Sequence, residues 1–229
     1  MAPWKAARIG DHIGQIDTPA LVLDLDAFER NMKRLQEAMS KAGVRLRPHA
    51  KSHKCPEIAL RQIKAGAIGI CCQKVSEAAV FVDAGVDDIL ITNQLVGEQK
   101  VAHAIDLAKR ATIGVLVDHD DQLSAFARAS ALRQIQIDVY IDVDVGMGRC
   151  GVTSIEQAVS MALQIDQAPY LNFMGLQCYH GSAQHYRIPE ERQQAIAAVC
   201  AKAATTKAAI EEVGIRVERI SGAGTGSVM

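Results

Sequence analysis

The sequence predicts an α/β barrel, and three observations carry that prediction. Short β-branched or apolar runs alternate with Ala-, Glu-, Lys- and Gln-rich stretches from end to end, as repeated βα units require. The runs succeed one another at intervals of roughly 20–25 residues for most of the chain. Polar or reactive residues fall just behind them, at Lys51, Gln73, Asn93, Arg149, Tyr179 and Ser221, which is the end of a barrel strand where active sites are built. A doubly wound sheet shares the alternation; the interval and the placement of these residues favour the barrel.

In chain order the strands read as Ala20–Asp24, Leu46–Ala50, Ile68–Cys72, Ile89–Thr92, Ile113–Val117, Ile137–Val143, Phe173–Cys178 and Val217–Ile220. Each is a short run of the kind buried within a sheet. Between them apolar residues recur at helical spacing, as in Phe28-Met32-Leu35-Met39 and in the Ile58–Ile63 segment, and predict amphipathic helices. No Ser/Gly linker or shift in composition divides the chain, so residues 1–229 read as one domain. The last run leads into a glycine-rich loop, Ser221 to Ser227, and then only Val228 and Met229. Such a loop usually opens a helix that helps hold an anion, so a longer protein is expected.

With 229 residues, 49% hydrophobic and 22% charged, the chain can bury a sizeable core and is not of disordered composition. Lys+Arg 25 against Asp+Glu 26 leaves a net charge of -1, without the basic field that recruits nucleic acid or anionic membranes. The start, Met1-Ala2-Pro3-Trp4-Lys5, leads into mixed polar sequence, and no apolar run approaches the ~20 residues of a spanning helix. A soluble, cytoplasmic protein is expected. Six cysteines, Cys55, Cys71, Cys72, Cys150, Cys178 and Cys200, contain no CxxC pair, which fits a reducing compartment. Most of them end apolar runs and read as small buried thiols rather than nucleophiles.

Four segments can carry chemistry. In Arg47-Pro48-His49-Ala50-Lys51-Ser52-His53-Lys54, a lysine at a strand end between two histidines can have its amine desolvated toward nucleophilic use. The same pattern also suits a basic surface turn. Lys51 is preferred to Lys54 because it lies nearer the strand end. Ser221-Gly222-Ala223-Gly224-Thr225-Gly226-Ser227 offers backbone and hydroxyl donors to one phosphate, without the lysine of a nucleotide-binding loop. Gly146-Met147-Gly148-Arg149-Cys150-Gly151 matches G-x-G-x-x-G, but too late in the chain for a dinucleotide site, and Arg149 points to an anionic or phenolic oxygen instead. Tyr179-His180-Gly181-Ser182-Ala183-Gln184-His185 can stack on a ring, relay protons or ligate metal. Its two histidines lack the i, i+4 spacing of a helical zinc site, and no glutamate accompanies them. In Cys71–Glu77, Ser76 or Lys74 reads as opening the helix that Glu77 begins.

The segments Asp17-Thr18-Pro19-Ala20-Leu21-Val22-Leu23-Asp24, Arg47–Lys54, Cys71–Glu77, Asp144–Val152, Gly175–His185 and Ser221–Ser227 closely resemble the low-specificity D-threonine aldolases of the D-threonine aldolase/D-serine dehydratase group, pyridoxal-phosphate enzymes. The resemblance spans essentially the whole chain. It implies a (β/α)8 TIM-type barrel of the alanine racemase N-terminal kind, lacking here its last strand and the C-terminal β domain. Ala20–Asp24 would then precede the barrel, leaving seven barrel strands. By the same resemblance Lys51 holds the cofactor; Ser221, Gly222, Gly224, Thr225 and Gly226 hold its phosphate, with Ala223 standing where the family has glycine; and Arg149 and Tyr179 flank the ring. His49 and Gln73 complete the cofactor set, and Gln184 and His185 match the family's Gln-His pair.

The chemistry implied is retro-aldol cleavage of a D-β-hydroxy-amino acid to glycine and an aldehyde, with Lys51, His185 and Tyr179 as the catalytic residues. A divalent metal ion (Mn, Mg or Zn) would assist, its ligands expected beyond Met229 and none within the chain. A homodimer is expected at full length. A D-serine or D-3-hydroxyaspartate dehydratase or aldolase would use the same residues. A non-catalytic pyridoxal-phosphate-binding barrel would need only the lysine and the phosphate loop, and the Arg149, Tyr179 and His185 set argues against it.

Overall fold

A computed structural model describes residues 6–228, and the chain divides into two compact units, residues 1–45 and 46–229. In the first, a single 3₁₀ turn, Ile13–Gln15, is followed by extended chain with a cis Thr18–Pro19 bond and by helix α1 (Leu25–Lys41). Asp24 starts the helix by accepting the Ala27 N–H at 2.8 Å, satisfying one of the donors a helix leaves open. The stripe Phe28, Met32, Leu35 and Met39 is half-buried, as its spacing predicts. Ala20–Asp24 is not a strand. Leu21 and Val22 are exposed, and among the described residues no neighbouring ladder pairs with the run.

The second unit alternates helix and strand throughout: α2 (Pro56–Lys64), β1 (Ile70–Cys72), α3 (Val75–Asp83), β2 (Asp88–Ile91), α4 (Glu98–Leu107), β3 (Thr112–Val117), α5 (Asp120–Arg133), β4 (Ile137–Asp142), α6 (Ile155–Gln167), β5 (Leu171–Cys178), α7 (Pro189–Glu212), β6 (Arg219–Gly222) and α8 (Thr225–Val228). The strands form one parallel sheet in the order β1-β2-β3-β4-β5-β6, curled as a TIM-like half-barrel. The sequence expectation of seven barrel strands needs one correction, at Leu46–Ala50. That run meets β1 through a single bridge, His49 to Cys71, with the Ile68 and Cys71 N–H groups donating to the Leu46 and Pro48 carbonyls at 3.0 and 2.7 Å. Pro48 has no N–H to continue a ladder, and Ala50 already begins a 3₁₀ turn, Ala50–Ser52.

The two faces of the sheet differ. The outer face packs Ile70, Ile89, Ile91, Ile113, Val115, Ile137, Val139 and Ile141 under the helices, each essentially fully buried, and burial of one such side chain contributes roughly 2 kcal/mol. The inner face carries a separate small cluster of Cys71, Leu90, Leu116 and Tyr140, with Met174 against it. Below that cluster, at the N-terminal ends of the strands, the interior is filled by paired polar groups. Arg47 forks onto Asp88 at 2.5 and 3.1 Å, Asn172 donates to Asp138 at 2.7 Å, and Arg219 donates to the Tyr140 hydroxyl at 3.3 Å. The residues that follow the strands lie at the opposite end, the C-terminal mouth, where barrels bind their ligands.

One irregularity aims side chains into that mouth. Val139 pairs with Phe173, but the next residue, Tyr140, pairs with Gly175, so Met174 is an extra residue in β5. Phe173, Leu176 and Cys178 all face the outer core, whereas Met174 lies against the inner cluster. The bulge therefore resets the alternation, and Gln177 and Tyr179 face inward where an unbroken strand would have turned them out.

Candidate active site

The loops behind the strands line the mouth. At the bridge to β1, His49 is fixed by three hydrogen bonds in series. Its Nδ1 accepts the Lys51 backbone N–H at 3.2 Å, its Nε2 lies 2.9 Å from the Thr92 hydroxyl, and that hydroxyl reaches the Cys72 carbonyl at 3.3 Å. A backbone N–H only donates and a carbonyl only accepts, so the series assigns His49 as the neutral tautomer with its hydrogen on Nε2. Burial, and then the neighbouring Lys51 charge, push its pKa down to about 4. The Gln73 side chain, just past β1, lies beside the ring and works against that shift.

The two lysines of the segment have different surroundings. Lys54, in a left-handed turn, binds Glu77 at 2.6 Å, and Glu77 also accepts the Gln73 N–H at 2.9 Å. The capping role expected of Ser76 or Lys74 thus falls to Glu77 reaching back from α3. Lys51 is exposed at the mouth and has no ion pair among the described residues. His53 turns away: its Nδ1 accepts the Cys55 N–H at 3.0 Å and its ring stands edge-on to Phe81.

Arg149 sits in a loop closed at its base by the Val143–Val152 bridge. Four ties hold it. Asp144 Oδ1 accepts the Gly146 and Gly148 N–H groups, both at 3.0 Å, Asp118 accepts the Gly151 N–H at 2.9 Å, and Lys202 of α7 donates to the Asp144 carbonyl at 2.5 Å. The Gly148 N–H, with its neighbours, holds the Asp144 carboxyl below the usual range. So held, the Arg149 guanidinium lies over the Tyr179 ring, 5.8 Å from its centroid. Asp118 and Lys202 were not legible as site residues, because nothing in their local sequence marks a side chain that ties a distant loop.

Three adjacent strands bring Asp142, Gln177 and Ser221 into register on the inner face. Asp142 is 7% exposed and accepts from Gln94 at 2.6 Å; burial is the main reason its pKa is pushed up to about 6. Gln177 is 6% exposed, and its Oε1 has no hydrogen-bond partner among the described residues. A buried amide oxygen in that state is costly unless a ligand supplies a donor. The sequence reading missed both residues because they lie inside strands and not behind them.

Beyond β5, the 3₁₀ turn Gly181–His185 begins with His180 accepting the Ala183 N–H at 3.2 Å. Gln184 donates to the Tyr179 hydroxyl at 2.6 Å. His185 is exposed at the turn's end, and no hydrogen bond joins it to Lys51, Arg149 or Tyr179 among the described residues. Past β6, the glycine loop is partly self-satisfied: the Gly224 N–H bonds the Ser227 hydroxyl at 3.0 Å and the Gly226 N–H bonds Gln184 at 3.3 Å. Thr225 opens the short helix α8. Ala223 takes φ +64, a left-handed conformation that strains an L side chain and would suit glycine. Among the cysteines, Cys71, Cys72 and Cys178 are buried, with thiols pushed up to about 12 by burial, and all six are unpaired.

The family model of the alanine racemase N-terminal domain matches residues 23–229. The chain belongs to that family. It is 49% identical to a D-threonine aldolase of Arthrobacter sp over 96% of its own length and 58% of that protein's, and 37% identical to a 3-hydroxy-D-aspartate aldolase of Paracoccus denitrificans (strain Pd 1222) over 93% and 56%. The crystal structure of the D-threonine aldolase from Filomicrobium marinum superposes with a TM-score of 0.95 at 47% identity, covering 97% of this chain and 60% of that one. The chain thus spans a little over half the length of the curated relatives it matches. Among the described residues no helix is long and apolar enough to cross a membrane.

In this alanine racemase N-terminal domain the shifts at His49 and Asp142 act on stability in opposite directions. His49 titrates near 4 when folded against 6.5 unfolded, so its contribution is complete above about pH 6.5 and is lost as pH falls toward 4. Asp142 titrates near 6 when folded against 3.8 unfolded, so the folded chain binds the extra proton and gains stability as pH falls through the same window. Asp142→Asn is expected to remove that compensation and steepen the acid loss of stability between about pH 6 and 4. Urea midpoints against pH check this; an unchanged slope would show that Asp142 does not take up a proton there.

Proposed function

We propose that residues 1–229 are the cofactor-binding domain of a pyridoxal-phosphate enzyme that cleaves D-threonine and related D-β-hydroxy-amino acids to glycine and an aldehyde. The observation that carries this reading is Lys51 at the C-terminal mouth, without an ion-pair partner among the described residues and beside a neutral His49, in a chain 49% identical to a D-threonine aldolase. The donor set suits the cofactor. Lys51 offers an amine to its carbonyl, Arg149 a guanidinium to the ring oxygen, and Ser221, Gly222, Gly224, Thr225 and Gly226 a loop of small residues and hydroxyls to its phosphate. Gln177 adds an orphaned, buried amide oxygen at the floor. When bound, pyridoxal phosphate supplies a ring that accepts the electron pair released as the Cα–Cβ bond breaks.

The chain's own groups do the rest. His49, neutral across the physiological range, leaves Lys51 free of a competing cation and of an anionic partner that would hold its ammonium. Arg149 and Tyr179 orient the ligand from one side, their mutual geometry set by the ties on the Arg149 loop. His185 accepts the proton of the substrate's β-hydroxyl as its C–O bond becomes the aldehyde carbonyl. Lys51 Nζ, as its ammonium, gives one proton to Cα, producing glycine, and the proton held by His185 passes through solvent back to Lys51, so the cycle balances. Among the described residues no three His, Cys, Asp or Glu side chains are grouped to hold a metal ion. A divalent ion expected from the family would supply Lewis-acid assistance at the β-hydroxyl, and this proposal assigns the proton transfers to His185 and Lys51. Assembly as a homodimer belongs to the same proposal, as does a cytoplasmic location, which six unpaired cysteines support.

The test is product identity, with the protein loaded with pyridoxal phosphate and assayed with and without added divalent metal. Glycine and acetaldehyde are expected from D-threonine and D-allothreonine, and neither from the L-isomers. Discrimination at Cβ is expected to be weak, because the placement of one methyl group is worth only ~1–3 kcal/mol. Ammonia and an α-keto acid without glycine would identify a dehydratase instead, and interconversion of enantiomers without cleavage a racemase.

A further inference from the structure

The side chain of Gln184 joins the two loops of the site. Its Nε2 lies 2.6 Å from the Tyr179 hydroxyl oxygen, and its Oε1 lies 3.3 Å from the Gly226 nitrogen. The fit is close: a Cβ on Gly224 would come within 2.6 Å of Gln184 Cδ, and a Cβ on Gly226 within 3.2 Å of Gln184 Cβ. A backbone N–H can only donate, so the amide oxygen must face Gly226 and the NH₂ group must face Tyr179. The NH₂ group also only donates. The phenol oxygen is therefore the acceptor in that bond, and its own hydrogen points away from Gln184.

A tyrosine held in this way presents its O–H to another acceptor, and the Arg149 guanidinium over its ring favours an anionic one. The glycine loop lies one glutamine side chain away, and its Gly224 and Gly226 N–H groups are already engaged by Ser227 and Gln184. An anion at this loop gains from a donor outside it. Resting on the cofactor reading above, we propose that Gln184 is a positioning residue that fixes the Tyr179 hydroxyl as a hydrogen-bond donor to the ligand's phosphate.

A double-mutant cycle tests this, with wild type, Tyr179→Phe, Gln184→Met and the double variant each titrated as apoprotein with pyridoxal phosphate and with pyridoxal. Binding is read from absorbance and from borohydride-trapped label on Lys51. Gln184→Met is expected to weaken pyridoxal phosphate binding about tenfold or more while Tyr179 is present, the scale of one charge-assisted hydrogen bond. In the Tyr179→Phe background the same change should cost about twofold or less. Pyridoxal, which lacks the phosphate, should bind all four proteins within about a factor of two. Equal losses with and without the Tyr179 hydroxyl, or an equal loss for pyridoxal, would overturn the inference while leaving the cofactor reading intact. No trapped label on wild-type Lys51 would overturn the cofactor reading and this inference with it. Should Gln184→Met fail to fold, Gln184→Glu takes its place; it keeps an acceptor for Gly226 but offers Tyr179 no donor, and its added charge cancels across the cycle.

Discussion

Lys51→Ala is expected to lower the rate of glycine release from D-threonine by about 10³-fold or more, and to abolish borohydride-stable labelling by pyridoxal phosphate, while the fold is retained. The size reflects two roles held by one amine, since a lysine that both joins the cofactor and moves a proton at Cα cannot be replaced in either by a methyl group. Retention of the fold follows from its surroundings, since Lys51 is exposed, and only its backbone N–H, which alanine keeps, bonds His49. Lys54→Ala is the matched control. Its loss frees Glu77 from a partly exposed ion pair, a change worth about 1 kcal/mol or less, with labelling of Lys51 preserved. Label that persists in Lys51→Ala and disappears in Lys54→Ala would reverse the assignment. Circular dichroism melts on the same preparations separate lost chemistry from lost structure.

The contrast between these two lysines also shows what the sequence could express. That a reactive residue should follow the run at Leu46–Ala50 was legible, because strand ends point at a barrel's mouth whatever the local packing. Six of the eight expected runs are strands of the sheet, since a buried parallel strand needs a nearly continuous apolar run and little else imitates one. Leu46–Ala50 fell short for a local reason, Pro48, and Ala20–Asp24 for a non-local one, the lack of a ladder beside it. The site was legible where residues follow strands and illegible where function depends on ties across the fold. Arg149 stands out in a glycine-rich loop, but the Asp118 carboxylate and Lys202 ammonium that shape this loop are 33 and 58 residues from the atoms they bind. The glycine loop after β6 was legible as an anion cradle in composition; that Gln184 already uses one of its donors was not.

Gly175→Val is expected to have the largest structural effect of any single change in the sheet, destabilising the domain by about 4 kcal/mol or more and leaving it largely insoluble on expression. Gly175 has φ +136, and a Cβ there would overlap the Arg219 carbonyl oxygen in the neighbouring β6 and lie 2.9 Å from the carbon of that carbonyl. These are backbone atoms in register with Gly175, so no rotamer change relieves the overlap. Nor can β5 slide to escape, because Met174 and Gly175 form the bulge that resets its alternation. Straightening the strand by one residue would return Leu176 and Cys178 to the inner face and turn Gln177 and Tyr179 into the apolar layer beneath the helices, exchanging two apolar groups for two polar ones. Gly175→Ala has the same defect with less bulk, and the protein recovered should have a melting temperature lower by several degrees and a sharply weakened affinity for pyridoxal phosphate, since Tyr179 is carried by the strand that moves. Soluble Gly175→Ala protein with unchanged melting and unchanged cofactor affinity would show that β5 tolerates a side chain at the bulge, and that the inward aim of Gln177 and Tyr179 has another origin.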